Sequence, residues 1–234
     1  MDVAVDLVVL AVRSDDLNIL LVQRRKAPFK GQWALPGGGV KRTEDLVDAA
    51  RRELQEETGI RHAQLDQRGI YATPGRDPRG HVISVTWLAL LPDLTLPTAG
   101  SDAKAACWRP VRDAAPLAFD HDEIVRDSLE HVRGRLEHTP MAVDLCVVEF
   151  TITELRTVYE AVWNTQLDRR NFHRRALRIP GFLDRTDRYR IGSTGAPAPL
   201  YTRGNADTLH PPLLRPRRPS PRSNPTPDGQ GPKP

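Results

Sequence analysis

One segment constrains this chain more than any other. A glycine-rich stretch, Pro36-Gly37-Gly38-Gly39, runs into a helical pattern loaded with carboxylates. Glu44 precedes that pattern, and Arg52, Glu53, Glu56 and Glu57 lie along it. Three glycines after a proline predict a loop. The periodicity predicts a helix from Thr43 to Thr58, with Leu46, Val47, Ala50 and Leu54 as its apolar stripe and Gly59 as its stop. Residues 53 and 57 are four apart and share one face, with Glu56 beside them. Like charges at that spacing destabilise a helix, so something must offset them. A solvated acidic face is the plain reading. A divalent cation is the other, because hard cations such as Mg²⁺ take carboxylate oxygens and keep several waters. Glycines ahead of the helix also let the backbone approach a phosphate closely. Arg52 is placed to pair with Glu44 and hold the loop against the helix.

The complete spacing narrows the choice. Gly38, Glu44, Arg52, Glu53, Glu56, Glu57 and Gly59 are seven fixed positions. At about 7% usage per residue type they recur by chance roughly once in 10⁸ starting points. With Leu54 and Ile60 they form the complete Nudix box, and residues 1–138 resemble a Nudix domain. The resemblance implies an α/β class fold, the Nudix α/β/α sandwich, and hydrolysis of a nucleoside diphosphate linked to another group. It implies that Glu53, Glu56 and Glu57 hold Mg²⁺ or Mn²⁺ and serve catalysis. Gly38 and Gly39 would shape the loop, with Glu44, Arg52 and Gly59 as structural members of the box. A metal cluster lowers the pKa of an attacking water and neutralises charge on two phosphoryl groups. The general base lies outside the box in many members. Glu123 is the candidate here, with Asp120 and Asp122 beside it; acidic residues at a helix start also suit the helix dipole.

The residues around the box read as alternating sheet and helix. Val3 to Val12 and Asn18 to Gln23 predict paired strands across the turn Ser14-Asp15-Asp16. Further strands are expected at 64–73 and 82–91, and a short one beginning at Cys107-Trp108. A helix is expected from Asp120 to Glu137, then a linker at His138-Thr139-Pro140. Ligand signals are sparser. Nudix enzymes that act on ADP-ribose often carry a proline about fifteen residues past the box, where Pro74 stands. Arg76 and Arg79 are placed to reach a phosphate or ribose, or simply to be solvated. Trp33 offers a ring for an adenine or for the core.

The chain changes character after residue 138. Residues 1–138 hold 19 basic and 21 acidic residues, a net −2; residues 139–234 hold 15 and 9, a net +6. Such asymmetry suggests two jobs. Leu155, Val158, Tyr159 and Val162 make one apolar helix face, with Thr153 read as its N-cap. After a turn at Asn164-Thr165-Gln166, Asp168 is expected to cap a second helix from Arg169 to Arg178. Pro180-Gly181 ends it, and short strands follow at Phe182-Leu183, Tyr189 to Ile191 and Leu200 to Thr202. Two helices across a tight turn followed by a β-ribbon predict a winged helix-turn-helix at 139–204. The second helix carries Arg169, Arg170, His173, Arg174, Arg175 and Arg178, with Phe172, Ala176 and Ile179 as its buried side. Arg185, Arg188 and Arg190 fall on the wing. Arginine suits phosphates and guanine edges; an ordinary basic surface helix is the plainer reading, and His173 alone reads as a polar surface residue.

The segments Phe150 to Leu155, Tyr159 to Ala161, Leu167 to Phe172 and Leu200-Tyr201, placed behind a Nudix box, resemble the NrtR family of Nudix-related transcriptional regulators of NAD metabolism. The likeness spans about 1–204. It implies a homodimeric repressor that binds double-stranded operator DNA and senses ADP-ribose in the Nudix pocket. Trp33, Gly38, Gly39, Arg76 and Arg79 are the candidate ligand contacts, and Arg169, Arg170, His173, Arg174, Arg175, Arg178, Arg188 and Arg190 the candidate DNA contacts. Many such regulators have a damaged box and no longer hydrolyse their ligand, whereas this one is intact, which leaves hydrolysis open. The alternative is a pyrophosphohydrolase whose basic domain serves dimerisation or substrate capture.

Composition excludes other classes. The apolar share of 39% is too high for a wholly disordered chain. The longest apolar run, Leu7 to Val12, is far short of the ~20 residues of a membrane helix. The acidic start Met1-Asp2 does not resemble a signal peptide. Two cysteines without a CxxC pair argue against a disulfide scaffold and fit a reducing cytoplasm. Nine of the 21 prolines fall in 211–234. Residues 205–234 are therefore expected to be a disordered tail, whose Arg215, Arg217, Arg218 and Arg222 either touch phosphates or only solubilise.

Overall fold

The computed structural model describes residues 2–92, 103–191 and 196–216. Its first half is a mixed sheet. Strands β1 (Asp2–Arg13) and β2 (Asp16–Arg24) form a hairpin whose turn residues Ser14 and Asp15 both hold positive φ, the conformation that closes a two-residue turn without splaying the strands. Strands β3 (Trp33–Ala34) and β4 (Gly37–Gly39) add to β2 and β1. The stretch expected to be pure loop is thus partly pinned to the sheet. Helix α1 (Leu46–Thr58) follows, then β5 (Asp66–Tyr71), β6 (Val82–Leu91) and β7 (Ala103–Pro110). The order is β3-β2-β1-β6-β5, with β1 and β6 parallel, β4 on β1 and β7 on β2.

Strand β1 is buried on both faces, which is why it reads as an apolar run from Val3 to Val12, interrupted at Asp6, and not as an alternating pattern. Val5, Leu7 and Val9 face Ala49, Ala50 and Leu54 of α1. Val8 and Leu10 face the other way, toward Ile124, Val125, Leu129 and Val132 of helix α2 (His121–His138). That is the expected α/β/α layering. Helix α1 begins later than periodicity suggested, and Leu46 is left exposed in its first turn while Ala49 is buried instead. Cys107 and Trp108 lie in the middle of β7 rather than at its start.

The second core is continuous with the first. Helix α3 (Ile152–Trp163) buries Leu155, Val158, Tyr159 and Val162 as its periodicity demands. Its N-cap is Thr151, not Thr153: Thr151 Oγ1 accepts the Glu154 N–H and Glu154 returns to the Thr151 N–H, a complete capping box. Asn164 ends it in the left-handed region. Helix α4 (Arg169–Ala176) is capped by Asp168 and stops short of Arg178. Strands β8 (Leu183–Ile191) and β9 (Pro197–Arg203) form the ribbon.

The stretch between the halves is packed, not open. His138 is the last residue of α2, and Pro140–Leu145 coil into a 3₁₀ segment burying Met141, Ala142, Val143 and Leu145. The tail also departs from expectation at its start. Residues 205–216 fold back as a strap. Leu209 and Leu213 are buried, and their N–H groups donate to His138 O and Glu137 O. They satisfy carbonyls that the end of α2 would otherwise leave unpaired. Arg217, Arg218 and Arg222 lie outside the described residues.

Candidate functional site

The glycine loop lies over the last turns of α1, and the box residues are the reason. Arg52 is the hub. Its guanidinium donates to Glu44 at 2.6 and 3.0 Å, Glu53 at 2.6 Å, Glu56 at 3.2 Å and Gly39 O at 3.1 Å. The expected Arg52–Glu44 pair therefore clamps the loop to the helix. Hydrogen bonds to Arg52 hold the Glu44 carboxyl down at about 2. Gly38 sits so close that a Cβ there would lie 2.3 Å from Glu53 Oε1. Only glycine fits without a shift.

Glu57 Oε2 accepts the Gly37 N–H at 2.9 Å. Burial pushes its carboxyl up to about 8, against that hydrogen bond and with the charges of Glu53 and Asp6 adding to the rise. Burial also raises Glu53, against its pairing with Arg52. Two desolvated carboxylates beneath a backbone loop are the hard oxygen donors a divalent cation requires. On that ground Glu53 and Glu57 fit one. Glu56 is more exposed and is turned to Arg52. Among the described residues no three His, Cys, Asp or Glu side chains converge as a metal cage.

Beside the loop opens a cavity of about 720 Å³ lined by Gly37, Gly38 and Gly39 together with Asp6, Arg24, Arg76, Arg79, Phe119 and His121. Arg76 is buried, donates twice to Asp120 and approaches Asp6 at 3.5 Å. Arg79 is exposed and forks onto Asp77. Four of the five expected ligand contacts, Gly38, Gly39, Arg76 and Arg79, are thus on the cavity wall. Trp33 is not in that lining; its ring lies under Arg109, 4.7 Å from the guanidinium. Pro74 is an exposed loop residue.

The acidic group at the start of α2 has structural partners. Asp120 holds Arg76, and Asp122 accepts the Leu117 N–H. Glu123 is exposed and absent from the cavity lining. The sequence pattern made Glu123 a candidate base and gave little sign of a buried polar group on the cavity wall. Asp6 accepts from Ser84 and faces His121 Nε2 at 3.4 Å, while His121 Nδ1 accepts the Leu35 N–H at 2.9 Å. Burial favours a protonated Asp6, yet His121, Ser84 and Arg76 outweigh it and hold the carboxyl at about 2. The one available signal was a charged residue inside an apolar strand run.

This depressed pKa has a stability consequence. The contribution of Asp6 is complete above its unfolded value near 4 and is lost as pH falls through about 2. Asp6→Asn is expected to lower stability at pH 7 by about 2 kcal/mol. The gap between variant and wild type should close between pH 4 and 2, checked by denaturant unfolding across that range. A gap independent of pH would mean that Asp6 acts by packing alone.

Arg24 stacks on Phe119 at 4.6 Å and Arg79 approaches the same ring at 5.6 Å. Two guanidinium groups over one ring beside three glycines make a wall suited to an anion.

In the second half, Arg169, Arg170, His173, Arg174 and Arg178 stand exposed on or just beyond α4. Arg174 donates to Asn171, and Arg175 donates to Pro212 O of the strap at 3.0 Å. On the wing, Arg188 pairs with Glu149, and Arg190 with Glu154 and Glu149 O. The cations expected to meet DNA therefore divide into an exposed helix face and a set engaged within the domain.

Comparison with known proteins agrees with both halves. Residues 2–128 match the NUDIX domain family, and residues 142–202 match the NrtR DNA-binding winged helix domain. The ADPR responsive transcriptional repressor NtrR of Acinetobacter baylyi is 32% identical over 201 residues, 84% of this chain and 80% of that protein. The ADP-ribose pyrophosphatase of Methanocaldococcus jannaschii is 42% identical over 119 residues, 51% of this chain and 70% of that protein. The crystal structure of Shewanella oneidensis NrtR complexed with a 27mer DNA superposes with a TM-score of 0.73 at 28% identity, covering 86% of this chain and 93% of that one. Nudix hydrolases use divalent metal ions, which suits the donor set under the glycine loop. The chain belongs to the Nudix family, in the form in which an NrtR winged-helix DNA-binding domain follows the Nudix domain.

Proposed function

We propose that this protein is a transcriptional repressor of NAD metabolism genes that binds ADP-ribose in its Nudix cleft and operator DNA through α4 and the wing. The observation that carries the reading is the pairing of an intact Nudix cleft with an exposed cationic face on the second helix of a winged fold, in one continuous core. The 32% identity to an ADPR responsive repressor supports it. A homodimer and a cytoplasmic location go with this reading; among the described residues no helix is long and apolar enough to cross a membrane.

The cleft also supports hydrolysis. Glu53 and Glu57, with Glu56 once it leaves Arg52, would hold Mg²⁺ or Mn²⁺. Such an ion supplies charge neutralisation at a diphosphate and a water of lowered pKa. Arg24 and Arg79 orient the anion, and Arg76 and Asp120 fix the wall behind it. The 42% identity to an ADP-ribose pyrophosphatase favours retained turnover.

The direct test is a gel shift with duplexes drawn from upstream of NAD-biosynthesis genes, with and without ADP-ribose. The expected result is a specific complex that ADP-ribose weakens. No preference over random duplex at 150 mM salt would remove the regulator reading and leave a pyrophosphohydrolase whose basic domain serves dimerisation or substrate capture.

A further inference from the structure

We infer that the notch between α3, α4 and β9 is a phosphodiester site for the DNA backbone, and that Arg156 on the first helix is one of its cations. The inference rests on the DNA-binding reading and deepens it. The notch has a volume of about 210 Å³ and is lined by Thr151, Thr153, Arg156, Arg169, His173 and Tyr201, with Ile152 and residues 197–199 as an apolar wall. Among the described residues the lining holds two arginines and a histidine and no carboxylate. The acid of the first turn of α3, Glu154, is turned away: it takes the Thr151 N–H and pairs with Arg190.

Arg156 is the informative member. Its Nε is buried and has no hydrogen-bond partner among the described residues. That Nε faces Glu160 Oε2 at 3.6 Å in an ion pair one helical turn along, and the other Glu160 oxygen accepts the Leu167 N–H at 2.8 Å. That ion pair holds the guanidinium in place at the notch, where a cation beside Arg169 and His173 attracts an anion from outside. Arg169 and His173 are four residues apart on α4, so they reach the same side. A phosphodiester supplies the anion that this carboxylate-free lining lacks, and the apolar wall suits the adjoining sugar. The first helix of a helix-turn-helix crosses the backbone, which brings a phosphate to this place when α4 enters the groove. The helix start adds the Thr153 hydroxyl.

The test is the salt dependence of binding by the full chain. Affinity for operator and for an unrelated duplex of equal length is measured between 50 and 300 mM NaCl, for wild type, Arg156→Gln and Arg156→Lys. A single phosphate contact contributes about 0.9 to the slope of log K against log salt. Arg156→Gln is expected to reduce both slopes by about that amount and both affinities about fivefold at 150 mM salt. Arg156→Lys should restore the slope, because the charge returns. Thermal unfolding of each variant separates a folding defect, which would not move the slope. Unchanged slopes in folded Arg156→Gln, or a loss confined to the operator, would overturn the site. Absence of any binding by wild type would overturn the DNA reading together with it.

Discussion

Replacing Glu57 by glutamine is expected to abolish release of AMP from ADP-ribose in Mg²⁺ or Mn²⁺ while the protein stays folded and still binds ADP-ribose. Glutamine keeps the shape and the oxygen that accepts the Gly37 N–H. It removes the negative charge that a cation needs at this buried position. Losing a ligand of the ion that stabilises charge on two phosphoryl groups costs at least about a hundredfold in turnover. Glu53→Gln is expected to behave alike, with one difference. It also breaks an ion pair to Arg52 at 2.6 Å, so the loop clamp weakens and ligand affinity falls with turnover. Product release followed by chromatography, with binding measured separately by calorimetry, distinguishes the two. If wild type turns over neither ADP-ribose nor other nucleoside diphosphate derivatives, the cleft is a sensor only and the intact box serves binding.

The clamp was legible because helical spacing fixes which box side chains meet. Arg52 and Glu44 lie eight residues apart and find each other across the turn before α1, and the glycine at 38 has a visible reason in the Glu53 carboxylate. The floor of the cleft was not legible. Asp6, Ser84 and His121 come from β1, β6 and α2, and nothing local in sequence says that β1 and β6 lie side by side. The same holds for Arg24 and Phe119, joined only by the stacking of one on the other. Helix start signals misled where two candidates stood close together: Thr151 and Thr153 both suit a cap, and only the reciprocal bond with Glu154 selects the first. In the tail, composition averaged over 205–234 hid two leucines, at 209 and 213, that reach the exposed end of α2.

The largest regulatory effect should be reciprocal. Helix α2 joins the two halves as one rod of 18 residues, about 27 Å long. Its first turn faces the ligand cavity, where His121 accepts the Leu35 N–H and Asp120 holds Arg76. Its last turns face the DNA-binding half. There Arg133 donates to Val162 O, Trp163 donates to Arg133 O, and Tyr159 donates to Leu136 O. The strap on its final carbonyls accepts a bond from Arg175 of α4. A ligand that displaces Arg76 or His121 therefore moves a body packed against α3 and tied to α4. In a symmetric dimer the two α4 helices must sit about one DNA turn apart, ~34 Å, to read both half-sites. A small rotation of that body spoils the spacing. Saturating ADP-ribose is expected to weaken operator affinity by about 5- to 150-fold, the usual range of such coupling. Operator DNA must then weaken ADP-ribose affinity by the same factor, because the two ligands share one thermodynamic cycle. The measurement uses Glu57→Gln so that turnover does not deplete the effector. Fluorescence anisotropy gives operator affinity with and without ADP-ribose, and calorimetry gives ADP-ribose affinity with and without operator. Equal factors in the two directions support coupling through α2. Operator affinity unchanged by ADP-ribose, in a dimer shown to bind both, would make the Nudix half an independent enzyme carried on a DNA-binding chain.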